Sequence, residues 1–188
     1  MIGELGQLAL CFALALSLVM AVSGLMGARE NAVVARKTAS SATMGMLVFV
    51  ALAFATLTYA FVASDFSVAL VAGHSHTLKP LVYKISGVWG NHEGSMLLWV
   101  LVLALYAGLV AALQRGGERL TSAALGVQGL LAFAFLLFIL FTSNPFLRLD
   151  PTPFEGAGLT PLLQWLVVPG LAFVIIAYPD RRVHRLLR

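Results

Sequence analysis

Charge is scarce in this chain: 11% of its 188 residues are Asp, Glu, Lys or Arg, against 60% that are apolar. Soluble domains are about a quarter charged and about half apolar, so a water-soluble globule is excluded and an integral membrane protein is indicated. Cysteine is nearly missing too. Cys11 stands alone inside the first apolar run, which rules out an internal disulfide framework and leaves it the reading of a small buried apolar residue. No C-x-x-C-H run occurs, so the chain cannot attach a c-type haem covalently to itself. Also absent are a nucleophile triad pattern, a phosphate-cradling glycine loop, an H-E-x-x-H zinc pattern and paired carboxylates at glycosidase spacing. The first residues, 1–7, lack a basic segment, carry Glu4 and lead into an apolar run too long for a secretory signal, so a cleavable leader is not expected. The net charge of +4 is no footprint of nucleic acid, because the basic residues scatter over loops without a stripe interleaved with aromatics.

What the chain does have is long apolar windows, at Leu5–Gly27, Thr43–Ala63, Met96–Leu113 and Ala123–Phe141. Each crosses about 30 Å of hydrocarbon at about 1.5 Å per residue. A fifth, Leu162–Tyr178, is barely long enough and holds Pro169, which removes a helix N–H and kinks the span or makes it re-entrant. The expected fold is therefore all-α, a polytopic bundle of about five spans. Orientation follows from lysine and arginine, which accumulate in cytoplasmic loops. Nine of them (Arg29, Arg36, Lys37, Arg115, Arg119, Arg181, Arg182, Arg185 and Arg188) fall on one side and three (Lys79, Lys84 and Arg148) on the other. The N-terminus is thus expected outside and the basic tail inside, which requires an odd number of spans.

Two outside loops remain for chemistry, residues 64–95 and 143–161. In the first, Lys79-Pro80 reads as a helix start. At about 100° per residue, Leu78, Leu81, Val82, Ile85, Val88 and Trp89 share one arc, and Lys79, Tyr83, Lys84, Ser86 and Gly87 the other. This predicts an amphipathic helix lying on the outer leaflet, with Tyr83 and Trp89 in the aromatic belt. His74 and His76 form an H-x-H pair, read as exposed interfacial histidines, since a metal site would need further ligands and ordered supporting partners. The second loop is stiffened by Pro145, Pro151, Pro153 and Pro161, which forbid continued helix and predict a defined extended strap.

The densest chemistry lies at Trp89-Gly90-Asn91-His92-Glu93-Gly94-Ser95, where imidazole and carboxylate groups sit at the mouth of an apolar span. Gly90 and Gly94 permit a positive φ or a close backbone approach, and Ser95 is placed to cap a helix starting at Met96. Two roles are open to Glu93: favourable placement near a helix N-terminus, or orientation of His92 and grip on a cationic or metal-bearing ligand. Trp89 and Trp99 either wall a flat aromatic ligand or anchor the interface. His184, in the basic tail, has no assigned role.

Three blocks carry a resemblance: FVALAFATLTYAFVASDFSV at Phe49–Val68, YKISGVWGNHEGSMLLWVLVLAL at Tyr83–Leu105 and LFTSNPFLRLDPTPFEGAGLTPLLQ at Leu140–Gln164. They resemble the N-terminal part of the cytochrome c maturation protein F (CcmF) family, with its nitrite-reductase-associated relatives, the membrane component of a bacterial cytochrome c haem lyase. The resemblance divides the chain into a CcmF-like transmembrane region over residues 1–164 and a divergent last span with a basic cytoplasmic tail over 165–188. It implies a multi-pass protein of the bacterial cytoplasmic (inner) membrane that handles haem on the outer face. Family members receive haem from a haem chaperone and promote thioether bonds between its vinyl groups and the reduced cysteines of an apocytochrome c, beside a small subunit that presents the apocytochrome. Trp89, Gly90, His92, Glu93, Gly94, Trp99, Asn144, Pro145, Pro151, Pro153 and Gln164 are the candidates to face ligand or partner. The family's tryptophan-rich WWD segment has no counterpart here, Thr160 replaces an asparagine, and valine stands where a histidine ligand would align. No iron-ligating histidine carries over. The resemblance therefore implies a split or truncated lyase subunit completed by a second polypeptide, with weak haem binding by this chain alone. The alternatives are a scaffold that has lost haem chemistry and, third, a small transporter component, for which intramembrane charges would be expected.

Overall fold

The computed structural model describes residues 2–29, 31–113 and 117–158. These form six helices: α1 (Ile2–Gly27), α2 (Val33–Ala63), α3 (Ala69–His74), α4 (Leu81–Gly87), α5 (His92–Leu113) and α6 (Glu118–Phe141). Among the described residues the only β pairing is an isolated antiparallel bridge between Val68 and Arg148, so the architecture is all-α. The helices α1, α2, α5 and α6 are each long and apolar enough to cross a membrane. Their ends do not coincide with the apolar windows: α2 begins at Val33 and α6 at Glu118. Arg36, Lys37 and Arg119 are good helix formers, so the helix continues where the hydropathy has already fallen. The stretch Leu162–Tyr178 and the basic tail lie outside the described residues.

Packing inverts the habit of soluble bundles. The buried face of α1 is mostly small, with Gly6, Ala9, Ala13, Ser17, Ala21, Gly24 and Gly27, while Leu5, Leu8, Phe12, Leu18 and Val22 point outward. Lipid solvates large apolar side chains as well as a protein core does, so helices gain by bringing small residues together and letting their backbones approach. Cys11 follows the same logic: it is exposed on α1, not buried as its apolar character suggested, because the outward face is apolar too.

The α1–α6 seam depends on this closeness. A Cβ on Gly126 would lie 2.7 Å from the Leu25 nitrogen, and one on Gly129 would lie 2.6 Å from the Ala21 nitrogen. Ser122 adds a hydroxyl bond to the Gly24 carbonyl at 3.0 Å. Beyond it, Arg36 staples three helix ends. Its Nε donates to the Gly27 carbonyl (2.8 Å), Nη2 to the Arg29 carbonyl (3.1 Å) and Nη1 to Glu118 Oε2 (2.7 Å). One guanidinium thereby satisfies carbonyls left open at the end of α1 and joins them to the start of α6.

Candidate functional site

At the opposite end, the start of α1, the ends of α2 and α6 and the start of α5 converge. There α2 stops at Ser64, whose φ of 56° is left-handed and whose N–H turns back to the Ala60 and Phe61 carbonyls. Asp65 then accepts bonds from the Ser67 N–H (3.2 Å) and hydroxyl (2.6 Å), an Asx turn that redirects the chain across the bundle.

The two loops form one hydrogen-bonded layer. Ala69 N–H donates to the Leu147 carbonyl (2.8 Å) and Leu149 N–H to the Ser67 carbonyl (2.9 Å), around the Val68–Arg148 bridge. Further along the strap, Ala157 N–H reaches the Ala72 carbonyl (2.6 Å) and Gly158 N–H the Ser75 carbonyl (3.1 Å). Glu155 accepts from the Thr77 hydroxyl (2.6 Å) and N–H (2.9 Å). These bonds hold its carboxyl below the usual glutamate range. Arg148 ties the layer to α1 through Glu4 at 3.2 Å, and the Phe146 ring sits on Gly6, where a Cβ would overlap the ring unless it shifted.

The strap candidates divide by burial. Asn144 accepts from the Phe146 N–H at 3.0 Å and so shapes the turn, Pro145 is buried, Pro153 is half-buried and Pro151 is exposed. Phe154, at the tip, is fully exposed at 104%. Gln164 lies outside the described residues. His76 departs from expectation. Its side chain is only 14% exposed, with Nδ1 beside Glu155 (3.7 Å) and accepting from the Leu78 N–H (3.2 Å), because the strap closes over it. His74 stays exposed, its Nδ1 on the Leu70 carbonyl at 3.1 Å.

The amphipathic helix is short, and Trp89 lies in the turn after it. Its polar side meets the bundle: Lys84 Nζ donates to Ser64 Oγ (2.6 Å), and Gly87 lies over the Phe61 ring. Leu78, Leu81, Val82 and Ile85 face out, and Val88 is the exception, fully buried. An apolar arc turned away from the protein suits a lipid or protein neighbour.

The turn into α5 is organised by Asn91, a residue the sequence reading left without a role. Its Nδ2 donates to the Gly87 (2.8 Å) and Val88 (3.3 Å) carbonyls, while its Oδ1 accepts from the Gly94 N–H at 2.7 Å. This is an N-cap, so the helix begins at His92 and Ser95 is not its cap; the Ser95 hydroxyl instead donates to the His92 carbonyl at 2.9 Å. An Asn followed by Glu93 in the first turn was the available signal. Gly94 is demanded by closeness, since a Cβ there would overlap the Val88 carbonyl oxygen, whereas one on Gly90 meets only ordinary contacts from 3.4 Å. His92 is exposed, with its ring edge-on to Phe138 (centroids 6.5 Å). Glu93 is half-buried and has no ion pair or hydrogen bond from its carboxylate among the described residues. Trp89 and Trp99 are both exposed, 42% and 65%, and Trp99 lies two turns along α5 from His92. The structure thus brings Trp89, Gly90, His92, Glu93 and Gly94 into one turn, with Trp99 below it on the same helix face.

Four bilayer-length helices, closed at one end by a layer of two bonded loops, define a multi-pass membrane protein with a built surface platform. No family model matches the chain. It is 53% identical over 176 residues to the cytochrome c-type biogenesis protein ccl1 of Rhodobacter capsulatus, covering 92% of this chain and 26% of that protein. Against the cytochrome c-type biogenesis protein CcmF of Escherichia coli it is 44% identical over 177 residues, covering 92% of this chain and 27% of the relative. The solved structure of the cytochrome c haem lyase CcmF superposes with a TM-score of 0.71 at 26% identity, over 78% of this chain and 25% of that one. In sequence and fold, the chain is related to the CcmF family of cytochrome c-type biogenesis proteins, and it spans about a quarter of the length of the relatives it matches.

Proposed function

We propose that this chain is a membrane portion of a cytochrome c haem lyase, handling haem for its attachment to apocytochrome c. The observation that carries the reading is the 53% identity to ccl1 over 92% of the chain. It is supported by the layer of two loops, which a structural span bundle alone would not need. In this reading residues 1–164 form the CcmF-like transmembrane region, residues 165–188 a divergent span and basic cytoplasmic tail, and the platform faces the periplasm with the N-terminus. The haem chaperone, the apocytochrome-presenting subunit and apocytochrome c meet the chain there.

Haem supplies the vinyl groups that become thioether bonds. The Nδ1 atoms of His74 and His76 are bonded within the loop, which fixes the direction of each ring, and no residue here is named as an iron ligand. No step is assigned to the iron. What this chain contributes is position. The Asn91 cap fixes the direction of His92 and Glu93, and the exposed Trp89 and Trp99 offer flat apolar faces to a planar ligand or a partner helix. The membrane seats the remaining apolar surface.

Replacing His92 and Glu93 together by Ala, in a strain that assembles c-type cytochromes, should lower haem-stained cytochrome about tenfold or more, as misplacement at a reacting centre does. Undiminished product with normal amounts of the variant in the membrane would return both residues to the role of a helix start and favour the scaffold reading.

A further inference from the structure

At the end of the bundle away from the platform, a cavity of about 380 Å³ lies between α2 and α6. It is walled by Arg36, Lys37, Ser40 and Ser41 from one helix and by Glu118 and Thr121 from the other. The α2 residues recur at the spacing of a single helix face. This polar face precedes the apolar window that begins at Thr43, at the level of the lipid headgroups.

The partners account for only part of it. Arg36 is held by two carbonyls and by Glu118 at 2.7 Å, which neutralises the one carboxylate in the cavity wall. Lys37 has no partner among the described residues, and the hydroxyls of Ser40, Ser41 and Thr121 make no hydrogen bond there. One uncompensated ammonium beside three free hydroxyls is the donor set that phosphate oxygens accept from.

The surroundings select the source of the phosphate. Val33, Val34 and Leu120 are exposed at this end. Val33 also lines a second, apolar groove of about 750 Å³ between α1 and α2, walled by Leu18, Val19, Val22 and Met26. The two spaces share Val33 as a wall, and a polar cavity beside an apolar groove fits a molecule with a charged head and a hydrocarbon tail. We propose that this cavity binds the phosphate of an anionic glycerophospholipid, with Lys37 as its cationic contact, Ser40, Ser41 and Thr121 as hydroxyl donors, and the neighbouring groove taking an acyl chain. This site stands apart from the platform and does not depend on which way the bundle faces, so its failure would leave the lyase reading untouched.

The test uses the purified full chain in neutral detergent, titrated with phosphatidylglycerol, phosphatidylcholine or inorganic phosphate and read by native mass spectrometry and by the unfolding midpoint. Phosphatidylglycerol should remain bound and raise the midpoint, and the other two should do neither. Lys37→Gln should weaken phosphatidylglycerol binding about fivefold, the factor matching about 1 kcal/mol per basic residue at an anionic surface. Lys37→Arg should keep it. If Lys37→Gln does not fold, the pair Ser40→Ala and Ser41→Ala probes the same wall without changing charge, and it too should weaken binding. Unchanged affinity in these variants, equal binding of phosphatidylcholine, or a midpoint rise from inorganic phosphate alone would each overturn the assignment.

Discussion

Gly90 and Gly94 look alike in the sequence, each one side of a short polar turn, and the structure separates them. A Cβ at Gly94 would overlap the Val88 carbonyl oxygen that ends the preceding turn, while at Gly90 there is room at 3.4 Å. Gly94→Ala should therefore cost about 1–3 kcal/mol, the range for forced overpacking. Gly90→Ala should leave the unfolding midpoint nearly unchanged. Equal effects, measured side by side in detergent, would remove the close approach as the reason for glycine at 94. Tryptophan, imidazole and carboxylate groups in that turn were legible because they are rare in this chain. Asn91 was legible on the same local ground, since its partners Gly87, Val88 and Gly94 all lie within four residues of it, but Ser95 competes with it in the sequence as a capping residue.

Helices and loops obey a different arithmetic. The four spans were legible because apolar length is a local property, but hydropathy could not mark their true ends or their contact faces. Those faces follow from size: Gly24, Gly126 and Gly129 bring α1 and α6 to backbone contact. Gly126→Leu should separate the two helices and lower stability by about 1–3 kcal/mol. Ala124→Leu, on the exposed side of α6, should change little. Titrating both variants with a denaturing detergent checks this, and comparable losses would mean that the seam is not a close contact. The amphipathic helix belongs to the same scale. Its two arcs, and the apolar one turned to the outer leaflet, were readable from periodicity, whereas its short length and the burial of Val88 were not.

For the molecule as a whole, the two loops converge on one end of the bundle and the Arg36 staple lies at the other. With Cys11 replaced by Ala, a membrane-impermeant thiol reagent applied from outside should label Phe154→Cys but not Asn31→Cys, both positions being exposed. The reverse pattern would place the platform in the cytoplasm and end the proposed role on exported apocytochromes. Composition and local pattern by themselves determined that the chain is a helical membrane protein, how many described helices are long enough to span, and which turn and strap carry unusual groups. Each of these depends only on residues near one another in the chain. The tertiary structure alone decided that the strap folds over His76 and Ser75, that Arg148 is tied to Glu4, and that Lys37 and three hydroxyls line a cavity between helices. Those facts join residues tens of positions apart, and their physical reason is the close approach of helix backbones, which no single segment encodes.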